Sequence, residues 1–184
     1  MFLPSTVTSI GSSAFINCRS MRLLILPHDI DLSNVGRDII CATGSSRIAE
    51  DAGVAYEWNG NRITEESTSR RVNEWLFRHM DEAPFHKVCC NSSITTKQIN
   101  DYLTQNGNDI ALSIDPYHGM TPMHMLTTNP NAPAETIAAL LDVNVEVAFC
   151  ADNEGNISLD YARDYNIGGL VGIINGLCNH RHAA

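Results

Sequence analysis

One six-residue pattern occurs three times in this chain. Thr121-Pro122-Met123-His124-Met125-Leu126 is matched by Ala83-Pro84-Phe85-His86-Lys87-Val88 and by Ile157-Ser158-Leu159-Asp160-Tyr161-Ala162. His86 and His124 stand 38 residues apart, and His124 and Asp160 stand 36 apart. A recurrence of this length restricts the fold. Such a chain is assembled from supersecondary units, each too small to bury its own apolar face, that stack on copies of themselves. The middle copy opens as a helix start. Thr121 can cap with its hydroxyl, and Pro122 suits a first helical position that needs no amide donor. A polar break over 127–133 then separates a short first helix from a second that runs from about 134 to 143. The other copies are trailed by the same kind of second segment, over 94–103 and 169–177, so the middle unit spans about 115–144.

These residues resemble the ankyrin repeat, whose Thr-Pro-Leu-His-x-Ala signature recurs about every 33 residues. The first copy departs from it with Ala83 in place of Thr. The third keeps Asp152-x-x-Gly155 and Ala162 but has Asp160 in place of His. The extra length of the middle copy fits about three added residues in its polar break. The resemblance implies a mainly α fold: a helix-pair solenoid of about three repeats over 71–178. A capping helix precedes the repeats, on the pattern Val72, Trp75, Leu76, His79, Met80. It also implies that the motif's Thr and His are scaffold residues that bond each other and the backbone. Pro84, His86, Gly119, Thr121, Pro122, His124 and Gly155 are therefore read as structural and not as ligands or bases.

The same resemblance implies where a partner would sit. The connections over 107–118 and 144–156 would project as fingers, and the inner helices would line a concave face. The residues this carries over are Tyr117, His118 and Met120 in the middle repeat, Asn153, Glu154 and Asn156 in the last, and Asp164 and Tyr165 on the last inner helix. Aromatic, amide and acidic groups together suit contact with another protein.

Residues 1–41 follow a different rule. Leu3-Pro4, Val7, Ile10-Gly11, Ala14-Phe15, Cys18, Met21, Leu24, Leu26-Pro27 fall at the offsets of a leucine-rich repeat of the BspA-like kind, and the segment resembles that family. Pro4 and Pro27 are 23 residues apart. A decayed second copy follows on Pro27, Ile30 and Cys41, with Ser33 and Asp38 where Ile10 and Phe15 predict apolar groups. Short parallel strands are expected near 7–10 and 23–26. Residues 42–70 read as a connector with a helix near 47–56 and a turn at Trp58-Asn59-Gly60-Asn61. A polar, exposed stretch over 64–71 follows, in which Ser67 or Ser69 could cap the next helix. Residues 179–184 read as a tail.

Charge and motif content narrow the function classes. A formal net charge of −9 disfavours nucleic acid and anionic membrane surfaces, which attract excess Lys and Arg. No apolar run is long enough for a transmembrane helix, and the first residues lack the pattern of a signal peptide. The six cysteines have no Cys-x-x-Cys spacing and no disulfide framework, which points to a reduced, intracellular and cytoplasmic setting. No nucleophile elbow, phosphate loop or His-Glu-x-x-His is present, so an enzyme and a cofactor are not expected. Cys178, His180 and His182 cluster at the end of the chain, but three ligands without a fourth do not make a structural zinc site, and no metal is expected. The function expected is a non-catalytic protein–protein interaction scaffold. The alternative is a fragment of a leucine-rich-repeat surface or adhesion protein, since the chain begins inside a repeat.

Overall fold

The structure is a computed structural model that describes residues 1–61 and 64–183, with side chains described as far as Asn179. The protein is mainly helical. Among the described residues there are eight α-helices, and β-pairing is limited to isolated bridges. The chain divides into two compact units, Met1–His79 and Met80–Ala184.

In the first unit, successive coils of chain stack in parallel. Phe2 bridges Ile25, and Ile10 bridges Val35. The register is 25 residues from Ile10 onward. The Ile10 amide donates to the Asn34 carbonyl, and the Gly36 amide donates back to the Ile10 carbonyl. Ser13, Phe15 and Asn17 donate to Arg37, Ile39 and Cys41 in the same way. Positive φ repeats in step, at Ser13 and Asn17 in one coil and Asp38 and Ala42 in the next. This corrects the second copy read from sequence. Two residues inserted after Ile30 place Val35 and Ile40, not Ser33 and Asp38, beneath Ile10 and Phe15. Both are buried, so the core row continues unbroken. Gly36 must lack a side chain, because a Cβ there would lie 2.3 Å from the Ser12 nitrogen.

Helix α1 (Gly44–Asp51) begins with a capping box in which Thr43 and Ser46 satisfy each other's amides. Helix α2 (Glu66–Arg78) starts within the stretch expected to be polar and exposed. Its N-cap, Glu65, makes no side-chain cap bond. The start is early because its polar side chains face inward. Thr68, Ser69 and Asn73 are buried. Ser69 Oγ accepts from the Asp38 amide, Asn73 Nδ2 donates to the Gly36 carbonyl, and Thr68 Oγ1 accepts from the Glu57 amide. These are backbone groups that the stack itself leaves open, and buried amides need partners. Val72 and Leu76 join Ile10, Leu24, Leu26, Ile30, Val35, Ile39 and Ile40 in one apolar cluster. The helix that sequence assigned as a cap to the motif repeats therefore packs in the core of the first unit. The segment expected to be a connector is part of that unit too, with Val54 and Tyr56 packed on the cluster.

The second unit is three helix pairs: α3 (Pro84–Cys89) with α4 (Thr96–Asn106), α5 (Pro122–Thr128) with α6 (Ala134–Val143), and α7 (Ser158–Tyr165) with α8 (Ile167–Ala183). Pro84 and Pro122 occupy the first helical position. Helices α3, α5 and α7 have 6, 7 and 8 residues, too short to persist alone, so tertiary burial holds them. They pack on one another in order, as do α4, α6 and α8. Phe85, Ile99, Met123, Met125, Leu126, Ile137, Leu140 and Leu141 are fully buried between the layers. Burying each such side chain contributes about 1.5–3 kcal/mol. The connections between pairs contain short 3-10 turns, Asn108–Leu112 and Val145–Ala148, and the second closes through an antiparallel bridge from Ala151 to Ile157.

Candidate functional site

The polar groups of the second unit separate into two sets: those used up in holding the stack together, and those left at its surface. The motif histidines belong to the first set. The Thr121 amide and hydroxyl lie 3.0 and 2.8 Å from His124 Nδ1, which makes Nδ1 an acceptor. The proton is then on Nε2, which donates to the Asn156 carbonyl in the next turn at 3.2 Å. His86 Nε2 donates in the same sense to the Met120 carbonyl at 2.8 Å. Burial holds both imidazoles below their usual pKa, against the opposing pull of these carbonyls and of nearby Asp115 and Asp152. In the third pair Asp160 takes the same place, its carboxylate accepting from the Ile157 amide.

Two aspartates organise the turns that precede α5 and α7. Asp115 is buried and accepts from the amides of Tyr117, His118 and Met120 and from His118 Nδ1. Burial pushes its carboxyl up, but the His118 side chain and the amide donors outweigh this and hold it at about 2. Asp152 accepts from the amides of Glu154 and Asn156 and from the Tyr161 hydroxyl. The two turns touch: the Asn153 amide donates to the His118 carbonyl. Gly119 has φ +69, and a Cβ on it would lie 2.2 Å from Asn153 Oδ1.

A further set of ties was not read from the sequence. Asn129 Nδ2 donates to the carbonyls of Cys89 and Asn91, and Asn166 Nδ2 donates to those of Asn129 and Ala132. Asn91, Asn129 and Asn166 each follow an inner helix, at separations of 38 and 37 residues. That spacing equals the motif period and is the signal that would have found them. Each side-chain oxygen also accepts from an amide two or three residues on, at Ser93, Asn131 and Gly169.

The second set is smaller than the sequence implied. His118 and Met120 are both 1% exposed and offer no side chain to a partner. Their burial has a direct cause: both amides and the His118 ring are drawn onto Asp115. Tyr117 is half-buried, its hydroxyl 3.4 Å from Glu82. Asn153, Glu154 and Asp164 are exposed and Asn156 half-buried. Asp164 pairs with the Arg163 guanidinium through two bonds of 2.8 and 3.2 Å. Tyr165 is 51% exposed and caps an aromatic row: its ring stacks on Tyr161, which meets His124 edge-on. Ile114 and Phe149, one in each finger, are 64% and 58% exposed. Sequence reasoning passed over both, since neither lies in the motif.

Among the described residues, no group of three or more His, Cys, Asp or Glu side chains could hold a metal ion. His180 and His182 lie outside the residues whose side chains are described. Cys89 and Cys90 are buried, and burial pushes both thiols up, Cys90 to about 12, which disfavours the nucleophilic thiolate. No described helix is long and apolar enough to cross a membrane. Comparison with known protein families, with curated proteins and with solved structures gives no match in any of the three.

Proposed function

We propose that the second unit is an ankyrin-like stack and that the protein is a non-catalytic scaffold that binds another protein. The contact surface in this reading is the finger turns and inner helices of the second and third pairs. One observation carries the reading most. The buried polar groups at the turns and inner helices are engaged in ties to the backbone, while Tyr165, Ile114 and Phe149 stand exposed beside Asn153, Glu154 and Asp164. Aromatic anchors ringed by polar groups are the usual energetic centre of a protein interface. Tyr165 is also held stiffly by its stack on Tyr161, so little side-chain entropy would be lost on binding. A reducing, intracellular compartment belongs to the same reading, on six cysteines that are all free thiols.

The test is affinity capture followed by titration. A captured partner should lose affinity for Tyr165→Ala and Tyr117→Ala by an amount equivalent to about 2 kcal/mol each. Lys97→Ala and Gln98→Ala on α4 should leave it unchanged. If the α4 variants abolish binding and the tyrosine variants do not, the surface is misassigned. If the only reproducible ligand is a small molecule or nucleic acid, the scaffold reading fails.

The parallel stack of the first unit favours a second reading, a part of a leucine-rich-repeat surface or adhesion protein. Further repeats of about 23–25 residues and a secretion signal in the coding sequence upstream would support it over the first.

A further inference from the structure

The last helix, α8, presents different faces to its two sides. Toward α6 it presents glycine. A Cβ on Gly169 would lie 2.5 Å from Ile137 Cδ1, one on Gly172 2.9 Å from the Ala134 carbonyl oxygen, and one on Gly176 2.9 Å from Leu141 Cδ1. The helix therefore lies in close contact along Ala134, Ile137 and Leu141. Away from α6 it presents Ile167, Val171 and Ile174, which are 64%, 51% and 48% exposed, and then exposed Cys178. Their spacing of four, three and four residues is that of one helical stripe.

The repeat register gives this stripe a meaning. The step of 37 residues that carries Asn129 to Asn166 also carries Ala134, Ile137 and Leu141 to Val171, Ile174 and Cys178. The first three are the residues on α6 that receive α8. The outward face of α8 is thus the same helix-receiving face, one repeat later, and no described residue covers it. It carries no charge: from Ile167 to Asn179 there is no Asp, Glu, Lys or Arg, in a chain whose net charge is −9.

We propose that two copies of this chain associate through the outer face of α8, with Val171 and Ile174 at the centre of a two-fold contact. Such a contact sets apolar stripe against apolar stripe, as a two-fold interface requires. It also brings no like charges together, whereas two copies this acidic repel elsewhere on their surfaces. The association is independent of the partner surface proposed above, which uses the fingers and inner helices.

The experiment is sedimentation equilibrium of the full chain, up to about 0.2 mM, a range that captures weak dimers. Reductant is present throughout, so that a disulfide at Cys178 cannot produce the dimer. The native chain should sediment as a concentration-dependent dimer. Ile174→Glu and Ile174→Lys should each raise the dissociation constant at least about tenfold, and an equimolar mixture of the two should recover association. Position 174 is half exposed, so both variants should keep the native circular dichroism at 222 nm. Phe149→Ser, which removes an exposed apolar group in a finger, should leave the dimer intact. A chain that stays monomeric at the highest concentration overturns the proposal, and so does a dimer that survives Ile174→Glu or is lost in Phe149→Ser.

Discussion

Replacing Asn129 by alanine tests the stacking ties most severely. Asn129 is fully buried, and its amide group donates at 3.0 and 2.9 Å to the carbonyls of Cys89 and Asn91 in the preceding helix pair. Each donated bond contributes about 1 kcal/mol net, and a buried carbonyl stripped of its donor costs about 1–3 kcal/mol in desolvation. Asn91 is exposed, so water can replace its lost donor, whereas Cys89 is buried. The oxygen of Asn129 accepts from the amide of exposed Asn131, which water can also serve. The expected loss for Asn129→Ala is therefore about 2–4 kcal/mol. Two companions sharpen the test. Asn129→Asp keeps the acceptor but turns an oxygen toward two carbonyl oxygens, so it should be at least as destabilising. Asn91→Ala removes an exposed side chain whose oxygen accepts from the Ser93 amide, so it should cost about 1 kcal/mol or less. The assay is urea denaturation followed by circular dichroism at 222 nm, which reads the helices of the second unit; both tryptophans, Trp58 and Trp75, lie in the first. The midpoint should move with the slope unchanged. A loss below about 0.5 kcal/mol for Asn129→Ala, within the range of ordinary surface substitutions, refutes the reasoning. So does an Asp variant more stable than the Ala variant.

Other outcomes follow from the same geometry. His86 and His124 have folded pKa values below their usual 6.5, so the unfolded chain binds more protons, and stability should be complete above about pH 6.5 and fall as pH drops through the folded values. Melting temperatures between pH 7.5 and 5 check this, and His124→Gln should flatten the slope. Asp115 adds a lower window, its stabilisation being present above the usual carboxylate pKa of 3.8 and lost toward about pH 2. Gly119→Ala should cost about 1–3 kcal/mol through its positive φ and the clash with Asn153, whereas Gly53→Ala, at positive φ but with open space, should cost about 1 kcal/mol. Alkylation at neutral pH should label exposed Cys18 and Cys178 first and leave buried Cys89 and Cys90 unmodified until the chain unfolds, which peptide mass spectrometry of a time course would show.

What the sequence made legible is what repeats locally. The Pro84 and Pro122 helix starts were readable because a helix start is a short-range signal set by capping and by proline's fixed φ. The three helix pairs followed from the period. Burial was harder to read. His118 and Met120 were taken as surface because their motif position faces outward in the resemblance, yet Asp115 gathers both into the turn, a long-range electrostatic effect that residue type does not announce. Helix α2 was misassigned for a related reason. An amphipathic pattern tells that a face is buried but not against what, and Ser69 and Asn73 revealed their role only once Asp38 and Gly36 lay beside them. In the first unit the two inserted residues after Ile30 hid the second coil, because a fixed offset cannot follow a changed register.

The claim on which the account turns is that the motif histidines are neutral internal ties and not ionisable groups held for chemistry. Long-range proton–nitrogen NMR of the imidazoles in the uniformly labelled chain measures this directly. The account predicts that His86 and His124 both carry their proton on Nε2 at pH 7, with scalar couplings across the hydrogen bonds to the Met120 and Asn156 carbonyl carbons. Both should stay neutral as the pH passes below 6.5. A His124 protonated on Nδ1, or either ring titrating at or above 6.5, would contradict it.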